Sequence, residues 1–175
     1  LVVHQFGIPA KMDQLCELAK KHDLRIIEDC AQAHGAKIGD QFVGTFGDIG
    51  VFSLNVNKTI QSGEGGICIT GTEEIAYRLA LIRNHGEAVV GPARYKNIVN
   101  ILGFNFRLTE IQAAIGREQL KKVDMLNARR LELLDILIGR VNYLRPDLLR
   151  VLRGRSGCIS TYYLCPMIFD EKKSG

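Results

Sequence analysis

The sequence predicts an α/β fold. Two observations carry this. Amphipathic helical stretches alternate with apolar runs only about four residues long, and the first such run leads into a carboxylate pair, Glu28-Asp29. In open α/β sheets the chemistry lies at the carboxyl ends of the strands, and Asp29 sits at such a place. The first helix follows Pro9: Met12, Leu15, Cys16 and Ala19 recur at i, i+3, i+4 and i+7 with Lys11, Glu17 and Lys20 between them. Leu24-Arg25-Ile26-Ile27 then reads as a strand. The run 35–50 holds Gly35, Gly39, Gly44, Gly47 and Gly50, the punctuation of loops around a short hairpin. Val51–Leu54 and Ile67–Thr70 read as strands bracketing a polar, glycine-rich loop that holds one lysine, Lys58.

Thr72 is the candidate N-cap of a second helix, with Glu73 and Glu74 in its first turn and Gly86 beyond its end. Residues 87–104 carry no period. Thr109-x-x-Gln112 forms a capping box, and from Ile111 to Val141 apolar residues keep a helical period too long for one globular helix, so a break is expected near Lys121–Asp124. Pro146 bars a helix beyond it. Ser160–Leu164 and Met167–Phe169 read as strands with no partner in their own segment. The chain does not begin with Met, and with that lone strand region the expectation is a piece of a longer protein.

With 46% hydrophobic and 24% charged residues over 175 positions, the composition is that of a globular chain and not of a disordered tail or collagen-like repeat. No 18-residue apolar run exists. Residues 1–9 lack the pattern of a signal peptide. The net charge of +4 comes from residues 116–155, which hold 10 basic and 5 acidic groups but a single aromatic, Tyr143. That is a solvated helical face, without the stacking aromatics of a nucleic-acid surface. Neither membrane nor nucleic acid is expected as a partner. The five cysteines make no CxxC pair, so no metal site is expected and reduced thiols of a cytoplasmic protein are.

Each candidate chemical feature has an ordinary explanation when taken alone. Asp29 would cap a turn, Lys58 would be a solvated loop lysine, and Gly63-x-Gly65-Gly66 matches neither the Walker nor the dinucleotide pattern. Cys30 and His34 at i, i+4 have no third group to orient a base. Taken together they describe one chemistry. A sheltered lysine forms a Schiff base with a carbonyl, a strand-end carboxylate keeps a pyridine nitrogen protonated, and a serine five residues before the lysine binds a phosphate oxygen beside glycine amides. Those are the requirements of pyridoxal 5'-phosphate (PLP).

Glu28-Asp29-Cys30-Ala31-Gln32-Ala33-His34-Gly35, Phe52-Ser53-x4-Lys58, Gly63-Glu64-Gly65-Gly66, Arg83-Asn84-His85-Gly86 and Gly103-Phe104-Asn105-Phe106-Arg107-Leu108-Thr109-Glu110-Ile111-Gln112-Ala113-Ala114 follow one another in that order. Over nearly its whole length the chain resembles the DegT/DnrJ/EryC1/StrS family of sugar aminotransferases. The resemblance implies a fold type I PLP-dependent transferase. Residues 1–120 would form part of a large mixed-sheet PLP-binding domain, 121–150 a bridging helix, and 151–175 the start of a small α+β C-terminal domain. It implies Lys58 as the catalytic, cofactor-bonded lysine, Asp29 at the pyridine nitrogen, Gln32 against the ring, Ser53 at the phosphate, and Asn105 reaching the phosphate site of the partner in a homodimer with shared active sites. The implied substrates are a nucleotide-activated keto-sugar and an amino donor, glutamate. Relatives with histidine in place of the lysine are dehydratases, and Lys58 favours amino transfer. Three rivals remain: a noncatalytic module of the same fold, set apart by cofactor binding; a PLP-dependent dehydratase, set apart by a deoxy-keto product; and a cyclitol aminotransferase. The pathway, surface polysaccharide or antibiotic sugar, stays open, and His34 has no assigned role.

Overall fold

The computed structural model describes residues 1–87, 101–144 and 148–173. Much of the irregular stretch expected after the second helix, 88–100, lies outside the described residues, as does Pro146. A four-stranded sheet holds β1 (Val2–Val3), β2 (Ile27–Asp29), β5 (Ile49–Ser53) and β6 (Gly66–Ile69) in the order β1-β2-β5-β6. The first three run parallel and β6 returns antiparallel. A second sheet has β3 (Lys37–Ile38) between β4 (Gln41–Phe42) and β8 (Cys158–Ile159), and a third pairs β7 (Leu149–Val151) with β9 (Met167–Phe169).

The helices follow their sequence signals. In α1 (Met12–Lys21) the apolar stripe buries Met12 and Ala19. In α2 (Glu73–Arg83), Gly86 adopts φ +78 and its N–H closes the helix end onto the Leu81 carbonyl at 2.8 Å. Thr72 stands at the N-cap, but its side chain makes no cap bond. The long period breaks where expected, into α3 (Glu110–Leu120) and α4 (Val123–Leu144). Thr109 and Gln112 form the reciprocal capping box, and the Gln112 side-chain amide also donates to the Glu64 carbonyl at 3.0 Å. That bond pins α3 to the Gly63–Gly66 loop. Thr109→Ala should cost about 1 kcal/mol and lower the melting temperature by about 2–4 °C, measurable by circular dichroism; an unchanged midpoint would deny the cap that weight.

Two strand expectations need correction. The strand expected at Leu24–Ile27 is β2, Ile27–Asp29, so Leu24–Ile26 lie outside it; there the Ile26 N–H bonds the Asp48 carboxylate at 2.8 Å instead of a neighbouring strand. Ser160–Leu164 is not a strand, because Tyr162 takes φ +45, which no strand tolerates. The C-terminal strands find their partners outside their own segment, as expected: β9 pairs with β7, and β8 pairs with β3 across more than a hundred residues of sequence.

Beneath the carboxyl edge of the first sheet, Cys30, Ala33, Ala36 and Val43 form a buried cluster with Phe52 packed against it. Gly44 is obligatory there. It sits at φ +89, and a Cβ would lie 2.7 Å from the Phe52 ring and 3.1 Å from the Cys30 sulfur.

Candidate active site

The parallel pairing of β2 with β5 sets Asp29 opposite Val51, with Ser53 two residues further along the same edge. Both side chains therefore emerge where neighbouring strands end, and Lys58 follows in the loop after β5. One Asp29 oxygen, Oδ1, accepts the Ala31 N–H at 2.9 Å; Oδ2 has no hydrogen-bond partner among the described residues. The Ser53 hydroxyl accepts the Asn55 N–H at 3.3 Å, which leaves its own proton to donate. The Lys58 backbone N–H closes a turn onto the Asn55 carbonyl at 2.9 Å. Gln32 lies in the turn after β2, and its Oε1 accepts the Phe6 N–H at 2.7 Å. Asn105 is different. It is exposed, bridged to Asn84, and no hydrogen bond among the described residues joins it to the other four.

The sequence reading gave Glu28 no role, and the structure gives it a central one. Glu28 is fully buried. Its Oε2 accepts from His4 Nε2 at 2.9 Å and from the Gly44 N–H at 2.8 Å, while Oε1 accepts the Phe46 and Gly47 N–H groups, each at 2.7 Å. The Ala10 N–H donates to His4 Nδ1 at 3.1 Å, so the ring proton sits on Nε2 and points at the carboxylate. Burial works to raise the Glu28 pKa, but the bonds from His4 and the three backbone amides outweigh it and hold the carboxyl below the usual glutamate value. His4, Glu28 and Cys30 bring potential ligand atoms within 4.8 Å of one another. Both His4 nitrogens and both Glu28 oxygens are already engaged, so the trio is a structural staple and not a metal cage. Burial, then the Glu28 and Asp29 charges, pushes the Cys30 thiol far up. The thiol is thus protonated and inert, and a Cys30–His34 nucleophilic pair has no basis.

Helix α4 fastens both loops of the site. Asn127 Nδ2 donates to the His34 carbonyl at 2.8 Å, and Arg130 Nη1 donates to the Thr59 hydroxyl at 2.8 Å. The two residues stand three apart, inside the apolar stripe formed by Leu126, Leu134 and Ile138. Polar residues inside an apolar stripe were the signal the sequence offered and the reading passed over. His34 itself is 4% exposed, with its ring tilted against Phe52 at 5.7 Å between centroids. Among the described residues, neither ring nitrogen completes a hydrogen bond. Burial lowers its pKa, the Ser53 backbone opposes this, and the charges of Lys58 and Arg130 lower it further. His34 is thus a neutral imidazole beneath the site.

The segment that closes the site from the other side was also missed. The Thr161 N–H donates to the Gly7 carbonyl at 2.9 Å, Tyr162 follows at φ +45, and Tyr163 sets its ring against Lys58, with Nζ 5.0 Å from the ring centroid. A tyrosine in the left-handed region costs roughly 1–3 kcal/mol, which the surrounding contacts must offset.

Comparison with known proteins gives this arrangement a context. The model of the DegT/DnrJ/EryC1/StrS aminotransferase family matches residues 1–174. GDP-perosamine synthase of Escherichia coli O157:H7 is 38% identical over 96% of this chain and 44% of its own length. The crystal structure of S. venezuelae DesV superposes with a TM-score of 0.83 at 33% identity, over 97% of this chain and 44% of that one. That of E. coli GDP-4-keto-6-deoxy-D-mannose-3-dehydratase with bound hydrated PLP gives 0.83 at 26% identity, over 99% and 47%. The chain thus spans less than half the length of these relatives.

Proposed function

The chain belongs to the DegT/DnrJ/EryC1/StrS aminotransferase family, and we propose that it is the lysine-bearing part of a PLP-dependent aminotransferase that moves an amino group, from glutamate, to the keto group of a nucleotide-activated sugar. The observation that carries this is the shared edge of β2 and β5. There a carboxylate with one oxygen unpartnered among the described residues and a serine hydroxyl with its proton to give stand at the strand ends, and a lysine follows in the loop after β5. Products named for relatives, such as the GDP-perosamine of GDP-perosamine synthase, point to the sugar class. The protein is proposed to work in the cytoplasm; no described helix is long and apolar enough to cross a membrane.

The donor set fits the cofactor. PLP has a ring nitrogen, a phosphate and an aldehyde, and Asp29 Oδ2, the Ser53 hydroxyl and Lys58 Nζ are the matching carboxylate, donor and amine. When bound, the cofactor supplies an electron sink for charge developing beside the transferred nitrogen. The residues do the rest. Asp29 would hold a proton at the ring nitrogen through a charge-assisted hydrogen bond, and the Ala31 N–H engages Oδ1, which leaves Oδ2 for that bond. Ser53 donates to the phosphate. Gln32, with its carbonyl engaged by Phe6, would have its NH2 to offer the ring. Lys58 Nζ would take and return the transferred proton as general base and then acid. Asn105, exposed and joined to the other four by no hydrogen bond among the described residues, is proposed to serve the phosphate site of a partner subunit, which makes the working unit a homodimer. Residues 1–120, 121–150 and 151–175 are proposed as large-domain part, bridging helix and small-domain start.

The test is direct. Incubate the protein with PLP, reduce with borohydride, and locate the label by peptide mass spectrometry. A label confined to Lys58 is expected. Labels scattered over surface lysines, or none, would overturn the cofactor assignment and with it the aminotransferase.

A further inference from the structure

We propose that Tyr163 is a positioning residue for Lys58: its ring face holds the lysine ammonium in place at the mouth of the site, a role that rests on the aminotransferase reading for its catalytic meaning but not for its geometry. Lys58 Nζ lies 5.0 Å from the Tyr163 centroid, inside the roughly 6 Å over which a ring quadrupole attracts a cation. Among the described residues, Nζ makes no hydrogen bond and no ion pair, so the ring is the one directional contact that locates it. Both residues are half-buried, which strengthens such a contact by excluding water from it.

The backbone around Tyr163 is built to deliver that ring. Tyr162 is forced to φ +45, and its hydroxyl accepts the Gly154 N–H at 2.9 Å. The Thr161 N–H is bonded to the Gly7 carbonyl at 2.9 Å. Gly7 is itself at φ +80, where a Cβ would lie 2.8 Å from the Tyr162 nitrogen and 2.9 Å from the Gln32 carbonyl oxygen. The turn that places Tyr163 therefore packs directly on the turn that carries Gln32. A strained residue held by contacts on both sides at a chemical site marks positioning.

The experiment compares the chain with Tyr163→Phe, which keeps the ring, and Tyr163→Leu, which removes it. Reductive methylation with formaldehyde and cyanoborohydride, read by peptide mass spectrometry, gives the labelling rate of Lys58 relative to the exposed Lys20. The ring attracts the ammonium and shields the amine, so Lys58 in Tyr163→Leu should label about threefold to tenfold faster, the range of a partly desolvated cation–π contact. Tyr163→Phe should stay within about twofold of the parent, since the ring face is kept. Circular dichroism confirms that each variant is folded. An unchanged ratio in folded Tyr163→Leu overturns the proposal. So does a Tyr163→Phe chain that behaves like Tyr163→Leu, because the hydroxyl and not the ring would then hold the lysine. If Tyr163→Leu fails to fold, the Phe variant and a Tyr163→Trp variant decide: slower Lys58 labelling with the larger ring supports the contact, and faster labelling overturns it. This readout needs no PLP. A failed PLP trap with the expected methylation ratios would sink the aminotransferase reading and leave the contact standing.

Discussion

Glu28→Ala is expected to leave little folded protein. The carboxylate accepts from His4 and from the Gly44, Phe46 and Gly47 amides. Its removal orphans four donors at about 1–3 kcal/mol for each one that stays dry, against a typical total stability of about 5–15 kcal/mol. Glu28→Gln keeps the shape but turns an NH2 toward donors that need an acceptor. It should fold with a melting temperature lower by about 10 °C, as expected for a loss of about 3–4 kcal/mol in a chain of this size. Differential scanning calorimetry checks this, and a midpoint within about 2 °C of the parent would mean that water satisfies the amides. The pH dependence has a definite sign. The folded-state pKa of Glu28 lies below its unfolded value near 4.5. The network's contribution is therefore complete above about pH 4.5 and is lost as pH falls through the lower folded value. The parent chain should lose stability in that acid range more steeply than Glu28→Gln, which has no carboxyl to titrate.

Under the proposed function, Lys58→Ala is expected to reduce amino transfer by about 10³–10⁴-fold or more, because general acid–base transfer alone contributes about 10²–10⁴ and the proposed lysine nucleophile is lost with it. Arginine at 58 should not restore the rate: it keeps a positive charge but cannot give up its proton. A small exogenous amine should recover part of the alanine variant's activity, since it supplies the missing base. Product assay with a nucleotide-linked keto-sugar measures all three. Activity in Lys58→Ala within tenfold of the parent would remove Lys58 from the chemistry.

Two kinds of information separate what was legible in the sequence from what was not. Helix α1, the Thr109 capping box, the break at 121–122 and the hairpin around Gly39 came from signals within about four residues of one another, where periodicity and turn chemistry are written locally. Asp29, Ser53 and Lys58 stood out as a set only because their residue types meet one cofactor's needs in one order. What escaped was non-local. His4 meets Glu28 from 24 residues away, and Asn127 meets His34 from 93. The same holds for β8, whose partner lies at the other end of the chain, and for Tyr163, whose backbone φ neighbour no alternating pattern announces. Burial of Glu28 was hidden for a related reason: a charged residue beside Asp29 looks like a second surface acid until the three amides that surround it are known.

The pairing of β3 with β8 has a consequence for how the protein is made. Lys37 faces Ile159, 122 positions later. At about 5–20 residues per second of synthesis, one edge of β3 waits some 6–24 seconds on the ribosome with its backbone amides and carbonyls unclaimed. An unclaimed edge is a template for pairing with another chain. In this nascent protein the hazard is blunted by brevity, since β3 is only two residues long, and by Lys37, whose ammonium lies 4.2 Å from the Phe42 ring centroid on the neighbouring strand.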